Sequence, residues 1–266
     1  MTKAQVNDCT ILRGVAGYRM LGLNTPESDT DILGICIEPI GSAMGVGAPF
    51  EQWVDEKAQT QIYGLRKFVR LALKGNPSML CLLWMNPESG LLIRDARGSQ
   101  LQELAPNIVH RKATGAYLGY LQAQKQRLLG ERSNRGHGPM RPSLIEQHGF
   151  DTKYAMHMLR LGIQGVELQQ TGRLQLPMAE HDRTFLMSVR NGEVPLQACL
   201  TQAGEYEALL KDLYETGPLP LEPDTQAVEA WMVKMYLRNW SATRTLQDRA
   251  EDAARVQTGE PGRILK

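Results

Sequence analysis

The chain has 266 residues, enough to bury a substantial core and to suggest one or two domains. Its 30 Lys and Arg against 29 Asp and Glu leave a net charge of +1, which excludes a bulk polycation that coats nucleic acid without selectivity. Four scattered cysteines with no Cys-x-x-Cys pair indicate neither a zinc site nor a disulfide framework.

The first nine residues, MTKAQVNDC, are polar and lack the apolar core of a signal peptide. The longest strongly apolar run, Met79 to Met85, is too short to cross a bilayer. A soluble, reduced, cytoplasmic protein without a membrane partner is therefore expected. TILRGVAG predicts a first strand that ends at a turn between Gly14 and Gly17, and DILGICIEP predicts a buried second strand stopped by Pro39. The piece GSAMGVGAPFE reads as loop, followed by a short strand near Gln61. A helix comes next: Leu65, Phe68, Val69 and Ala72 share one face, with Arg66, Lys67, Arg70 and Lys74 away from it. Gly75 is its natural stop, and Asn76 caps a second helix with Pro77 in the first turn.

From about residue 100 the pattern is helical throughout. One helix is predicted from His110 to Gly130, with Tyr117, Tyr120, Leu121 and Leu128 facing inward, and Ser143 with Glu146 has the spacing of a capping box. Asp151 or Thr152 opens the next helix, which stops near Gly172. Two more are predicted over Leu196–Thr216 and Thr225–Trp240, and the stretch after Ser241 is expected to be loosely attached. The fold class is α+β, a head over residues 1–100 followed by an α-helical domain over residues 101–266. The basic excess is concentrated between Arg111 and Arg141, where only Glu131 opposes seven Arg and Lys. That stretch reads either as a landing strip for phosphates or as a solvated helix face.

The stretch with most chemical content is GYRMLGLNTPESDTDILGICIEP, Gly17 to Pro39. Asp29 and Asp31 stand one residue apart at the head of an apolar run, so in extended backbone their carboxylates share a side. Two like charges beside a hydrophobic sheet are costly unless something positive sits between them. A calcium loop of the EF-hand type fails, because Leu33 occupies the third ligand position. A metal held against a diphosphate, as in sugar-nucleotide transferases, a nucleotidyltransferase site and a merely solvated turn all remain open on the pair alone.

Three segments taken together narrow this: the stretch just quoted, IYGLRKFVRLALKGNPSMLCLLW, and GFDTKYAMHMLRLGIQGVELQQTGRLQLP. In that order they resemble the predicted nucleotidyltransferases of the DNA polymerase beta superfamily found in bacteria and their phages, from about residue 11 to residue 195. The resemblance implies a small mixed sheet with helices, a helical second part, Mg²⁺ (or Mn²⁺) dependence and a nucleoside triphosphate such as ATP as donor. Asp29 and Asp31 would be the catalytic metal ligands, and Gly17, Tyr18, Arg19 and Ser28 would face the phosphates. Two departures stand out. The superfamily turn usually reads Gly-Ser, whereas Gly17 is followed by Tyr18. A third carboxylate is usual, yet Gln59, Gln61 and Cys81 stand where it is sought; Glu51, Asp55 and Glu56 are the nearest acids in the preceding loop.

Within DTKYAMHMLRLGIQGVELQQ, Tyr154, Met158, Leu161, Gly165 and Leu168 form an inward stripe. Lys153, His157, Arg160, Gln164 and Glu167 recur at the same offsets on a neighbouring face, which reads as a site wall in which Lys153, His157 and Arg160 meet phosphate. The expected activity is transfer of a nucleotide from a triphosphate to an acceptor hydroxyl with release of pyrophosphate, RNA being the acceptor toward which the basic stretch points. The alternative is a catalytically silent nucleotide- or RNA-binding module of the same fold.

Overall fold

The computed structural model describes residues 1–131 and 141–258, the side chains of the last helix as far as Ala242. Helix α1 (Lys3–Cys9) opens with a capping box in which the Thr2 hydroxyl accepts from the Gln5 N–H and the Gln5 amide accepts from the Thr2 N–H. Then come β1 (Thr10–Val15), the short α2 (Gly17–Leu21), β2 (Ile32–Cys36), α3 (Ile40–Met44), β3 (Gln52–Asp55), β4 (Thr60–Gly64), α4 (Leu65–Ala72), α5 (Pro77–Leu82) and β5 (Leu91–Arg94).

The strands form one mixed sheet in the order β3-β4-β2-β1-β5, with β2 and β4 parallel and every other pair antiparallel. Leu33 of β2 is in register with Gln61 of β4, and Val15 of β1 with Ile32. Ile11, Leu12, Ile35 and Ile37 are fully buried in one apolar cluster with Leu65, Phe68, Val69 and Ala72, the face of α4 predicted to turn inward. Asn76 caps α5 by accepting from the Ser78 and Met79 N–H groups, also as predicted.

The remaining elements are helical: α6 (Ala96–Glu103), α7 (Ala105–Ile108), α8 (Thr114–Leu128), α9 (Pro142–His148), α10 (Thr152–Thr171), α11 (Glu180–Arg190), α12 (Leu196–Thr216) and α13 (Thr225–Thr258). Helix α10 is the hub, packed by α8, α11 and α12. The buried Asp151 carboxylate starts it by accepting from the Lys153 and Tyr154 N–H groups and pairs with Arg141 at 3.1 Å. The buried apolar cluster is continuous from Ile11 in the sheet to Val228 in α13. No described helix is long and apolar enough to cross a membrane.

Several expectations are corrected. Tyr120 is exposed, because Tyr117, Leu121, Gln124 and Leu128 define the buried face of α8 and Tyr120 falls beside it. Arg141, not Ser143, is the N-cap of α9, since Pro142 already occupies its first turn, and no side-chain cap bond forms. The glycine-rich piece after Pro39 contains α3, and the last helix continues past Trp240 to Thr258. On α10, Arg160 and Gln164 are buried and do not form an open stripe.

The basic stretch is largely engaged within the fold. Arg111 donates to the carbonyls of Tyr214 and Glu215, Lys112 pairs with Glu222, Lys125 with Glu207 and Arg141 with Asp151, while Arg127 is buried. Arg132 and Arg135 lie outside the described residues.

Candidate functional site

The site is built on the loop from Leu23 to Asp31 that joins α2 to β2. Gly22, in the left-handed region at φ 73°, ends α2. The loop is then tied on every side. The Thr25 N–H donates to Ser28 Oγ at 2.8 Å, and the Ser28 N–H donates to the Thr25 carbonyl at 3.0 Å. The Arg19 guanidinium donates to the Ser28 carbonyl at 2.7 Å and the Asp29 carbonyl at 3.2 Å. The Asp31 carbonyl accepts from the Ala16 N–H at 2.8 Å, and the Ile32 N–H donates to the Gln59 carbonyl at 2.8 Å. With the backbone fixed this way, both Asp29 and Asp31 are exposed and line one cleft of about 350 Å³. Neither carboxylate accepts a hydrogen bond or joins an ion pair among the described residues.

Gly17 has φ 63°, and a side chain there would bring its first carbon within 3.0 Å of Asp31 Oδ2. Glycine is required twice over, by the backbone conformation and by the acid beside it. The same residue begins α2, whose first-turn N–H groups have no partner inside the helix.

The opposite wall of the cleft is basic. Lys153 in the first turn of α10 and Arg190 at the end of α11 both line it, with Tyr18 and Ser28. The Lys153 ammonium stands 5.3 Å from the Tyr18 ring centre. Burial lowers the Lys153 pKa; Arg141 and Arg190 add to that, and Asp29 opposes them. Burial likewise raises the Tyr18 phenol, against the pull of Arg160, Arg141 and Arg190. Positive charge therefore crowds the wall facing two uncommitted acids, an arrangement that favours a polyanionic ligand bridging the two.

Two further hollows meet the cleft at Asp31, which lines all three. One, of about 510 Å³, runs along the β2–β4 edge past Gln59, Gln61, Asp55 and Glu56. The other, of about 200 Å³, reaches Ser78, Cys81, His157 and Arg160. The structure thus gathers Tyr18, Ser28, Asp29, Asp31 and Lys153 around the cleft, puts Gly17 on the walls of both adjoining hollows, and sets His157 and Arg160 in the smaller one. Arg19 is turned to the loop backbone. Arg190, Thr25 and the acid Glu27 also line the cleft and were not singled out in the sequence. Arg190 carries no local signal, because only the packing of α11 against α10 brings it there.

Other acids stand near the pair without joining it as a metal-holding group: Glu27 lines the cleft, and Asp55 and Glu56 line the hollow along the β2–β4 edge. Gln61 lies in register with Leu33 on the face Asp31 shares, and Gln59 receives the bond from Ile32. Glu51 pairs with Arg70 at 2.7 Å. Asp55 accepts from the Ala58 N–H at 3.1 Å and pairs with Lys3 at 3.2 Å, contacts that hold its carboxyl below the usual range. Among the described residues, no group of three or more His, Cys, Asp or Glu is placed to hold a metal ion. Two open carboxylates nevertheless fit Mg²⁺, a hard cation commonly held by one or two carboxylates together with waters and substrate phosphates.

A search of curated proteins finds no match. Among solved structures, a nucleotidyltransferase-like protein from Exiguobacterium sibiricum 255-15 is similar at 12% identity, with a TM-score of 0.28, over 80% of this chain and 71% of that one. The family model gives the assignment: the RNA repair pathway DNA polymerase beta family (RlaP) matches residues 2–256, nearly the whole length, and the protein belongs to that family.

Proposed function

We propose that the protein is a Mg²⁺-dependent nucleotidyltransferase that moves a nucleoside monophosphate from a triphosphate to an acceptor oxygen, a hydroxyl in the simplest case, with release of pyrophosphate. The carrying observation is that Asp29 and Asp31, without side-chain partners among the described residues, line one cleft with Lys153 and Arg190. Membership of a DNA polymerase beta-like family supports a transferase of this kind.

Asp29 and Asp31 would hold the cation. When bound, Mg²⁺ supplies charge neutralisation of the triphosphate and polarisation at the α-phosphorus. Lys153 and Arg190 draw the triphosphate into the cleft and hold its outer oxygens, Arg190 through a planar fork. The Tyr18 ring offers a face to the base or ribose, where serine is usual in the superfamily, and the hydroxyl of Ser28, which lines the cleft, would donate to phosphate. Arg19 acts through the loop: its two bonds to the Ser28 and Asp29 carbonyls set the direction of the acids. With the donor positioned between fixed charges, rate acceleration comes from preorganisation and not from a covalent enzyme intermediate.

The second reading, a silent nucleotide- or RNA-binding module, draws on Gln61, an amide on the strand face that Asp31 shares, where the superfamily usually has a third acid. Pyrophosphate release separates the two. Incubation with each ribonucleoside triphosphate, Mg²⁺ and a mixed acceptor pool yields pyrophosphate from an enzyme and none from a binding module.

A further inference from the structure

We infer that the hollow containing Arg160 is the acceptor subsite and takes a terminal phosphate monoester, an assignment that rests on the nucleotidyltransferase reading above. Arg160 is only 8% exposed. Its Nη1 donates to the Gln164 side-chain carbonyl, and its Nη2 lies 3.2 Å from His157 Nε2. Its Nε has no partner, and no carboxylate lies within ion-pair distance of the guanidinium among the described residues. A buried cation with no carboxylate in contact is costly, and the cost is relieved by an anion brought against it.

The hollow beside it holds about 200 Å³; its walls are largely apolar, from Met20, Leu21 and Leu33, and its possible phosphate donors are Arg160, His157, Ser78 and Tyr18. Asp31 is the single acid on its wall, and Asp31 and Tyr18 are also walls of the donor cleft, so the two spaces adjoin. A group seated against Arg160 therefore lies next to Asp31, in a space separate from the one Lys153 lines.

A second observation points the same way. Attack by an alcohol requires removal of a proton whose pKa lies near that of water, about 16. On β4 the residue that shares Asp31's face is Gln61, an amide that accepts no proton at neutral pH, and among the described residues no third His, Cys, Asp or Glu joins the pair in a metal-holding group. A phosphate monoester is already a dianion above about pH 6 and requires no base. In the step that follows, a monoester oxygen forms the bond to the α-phosphorus of the triphosphate. The bond from that phosphorus to the bridging oxygen breaks, and its electron pair leaves with pyrophosphate. The product is a phosphoanhydride, no proton is transferred, and no further carboxylate is needed as a base.

The test has a binding arm and a transfer arm. In the first, anisotropy in chelator, without metal or triphosphate, measures binding of four probes. These are an oligoribonucleotide with a 5′-phosphate, the same with a 3′-phosphate, the same with hydroxyl ends, and a free mononucleotide. The phosphorylated probes are expected to bind at least about tenfold tighter than the hydroxyl probe. Arg160→Gln removes that difference and Arg160→Lys keeps part of it, while circular dichroism confirms that both variants are folded. Comparison among phosphorylated probes identifies a polynucleotide end or a free nucleotide as the source. In the second arm, α-labelled triphosphate and Mg²⁺ are added, and label is expected in a phosphoanhydride that a pyrophosphatase cleaves to the labelled monophosphate. Binding that ignores the phosphate or Arg160 overturns the subsite, as does equal transfer to the hydroxyl probe. Phosphate- and Arg160-dependent binding with no label moved to any probe overturns the nucleotidyltransferase reading instead.

Discussion

Lys153 places its ammonium 5.3 Å from the centre of the Tyr18 ring, so the first turn of α10 meets the first turn of α2 across the cleft. A cation over an aromatic face is a favourable contact, stronger when the pair is withdrawn from water. It also fixes the ring as one wall of the space that Asp29 and Asp31 open into.

The ring, more than the hydroxyl, is therefore predicted to matter for the nucleotide. Tyr18→Ala should weaken triphosphate binding by about 1–3 kcal/mol, the scale of a base–aromatic stack, while Tyr18→Phe should nearly preserve it. Calorimetric titration of the wild type and both variants measures this. Tighter binding in Tyr18→Ser than in the wild type would mean instead that the phenol plugs the cleft.

Glu38 ties the last helix to the sheet, and its ionisation should be visible in stability. Its buried carboxylate accepts from the Tyr236 hydroxyl at 2.8 Å and the Leu65 N–H at 3.1 Å, and its carbonyl accepts from Trp240 Nε1 at 2.9 Å. Burial raises the Glu38 pKa from its ordinary 4.5, against the hydrogen bonds that favour the charged form. Because the folded state holds this proton more tightly, the folded protein loses stability as pH rises from 4.5 through the raised value. The stability difference between Glu38→Gln and the wild type should therefore shift in favour of the variant over that window, as measured by urea unfolding. Tyr236→Phe should cost about 1–3 kcal/mol by leaving buried groups without a partner.

Packing at α10 sets the direction of Lys153, His157 and Arg160, and Gly162 tests it. A methyl group at this position would lie 2.5 Å from Cδ2 of Tyr206 and 2.8 Å from its Cβ, on α12. Ala is the better helix former by about 1 kcal/mol. The clash is with the root of a side chain, which cannot swing aside, and overpacking of this kind costs about 1–3 kcal/mol. Gly162→Ala should therefore lower the thermal midpoint; an unchanged or higher midpoint would mean that α10 and α12 are farther apart than described.

Local chemistry was legible in the sequence, and long-range placement was not. Asn76–Pro77, Asp151 and Gly172 mark helix ends through caps that act within a few residues, and the structure has all three. Strands β3 and β5 escaped because four residues, QWVD or LLIR, are too few to establish an alternation. Helix α6, ARGSQLQE, escaped because it buries only Gly98 and Leu101 and shows no apolar stripe. At the site, Asp29 and Asp31 announce themselves by spacing, and Gly17 lies in the same stretch. Arg190 reaches the cleft from more than 150 residues away through helix packing alone. Arg19 could be read as a phosphate contact from the sequence because nothing there shows its guanidinium bound to the loop carbonyls.

The measurement that bears most directly on the account is Mg²⁺-dependent pyrophosphate release by the wild type and Asp31→Asn, with metal-free melting of both. Asp31 lines the cleft and both adjoining hollows, so it is the position where loss of a carboxylate has the clearest consequence. The account predicts release by the wild type and none by the variant. In metal-free buffer the variant should melt at the same or a higher temperature, since replacing one of two like charges relieves repulsion. Undiminished release by Asp31→Asn, or a lower metal-free melting temperature with the Mg²⁺ response intact, would contradict it and make the aspartate pair a structural turn.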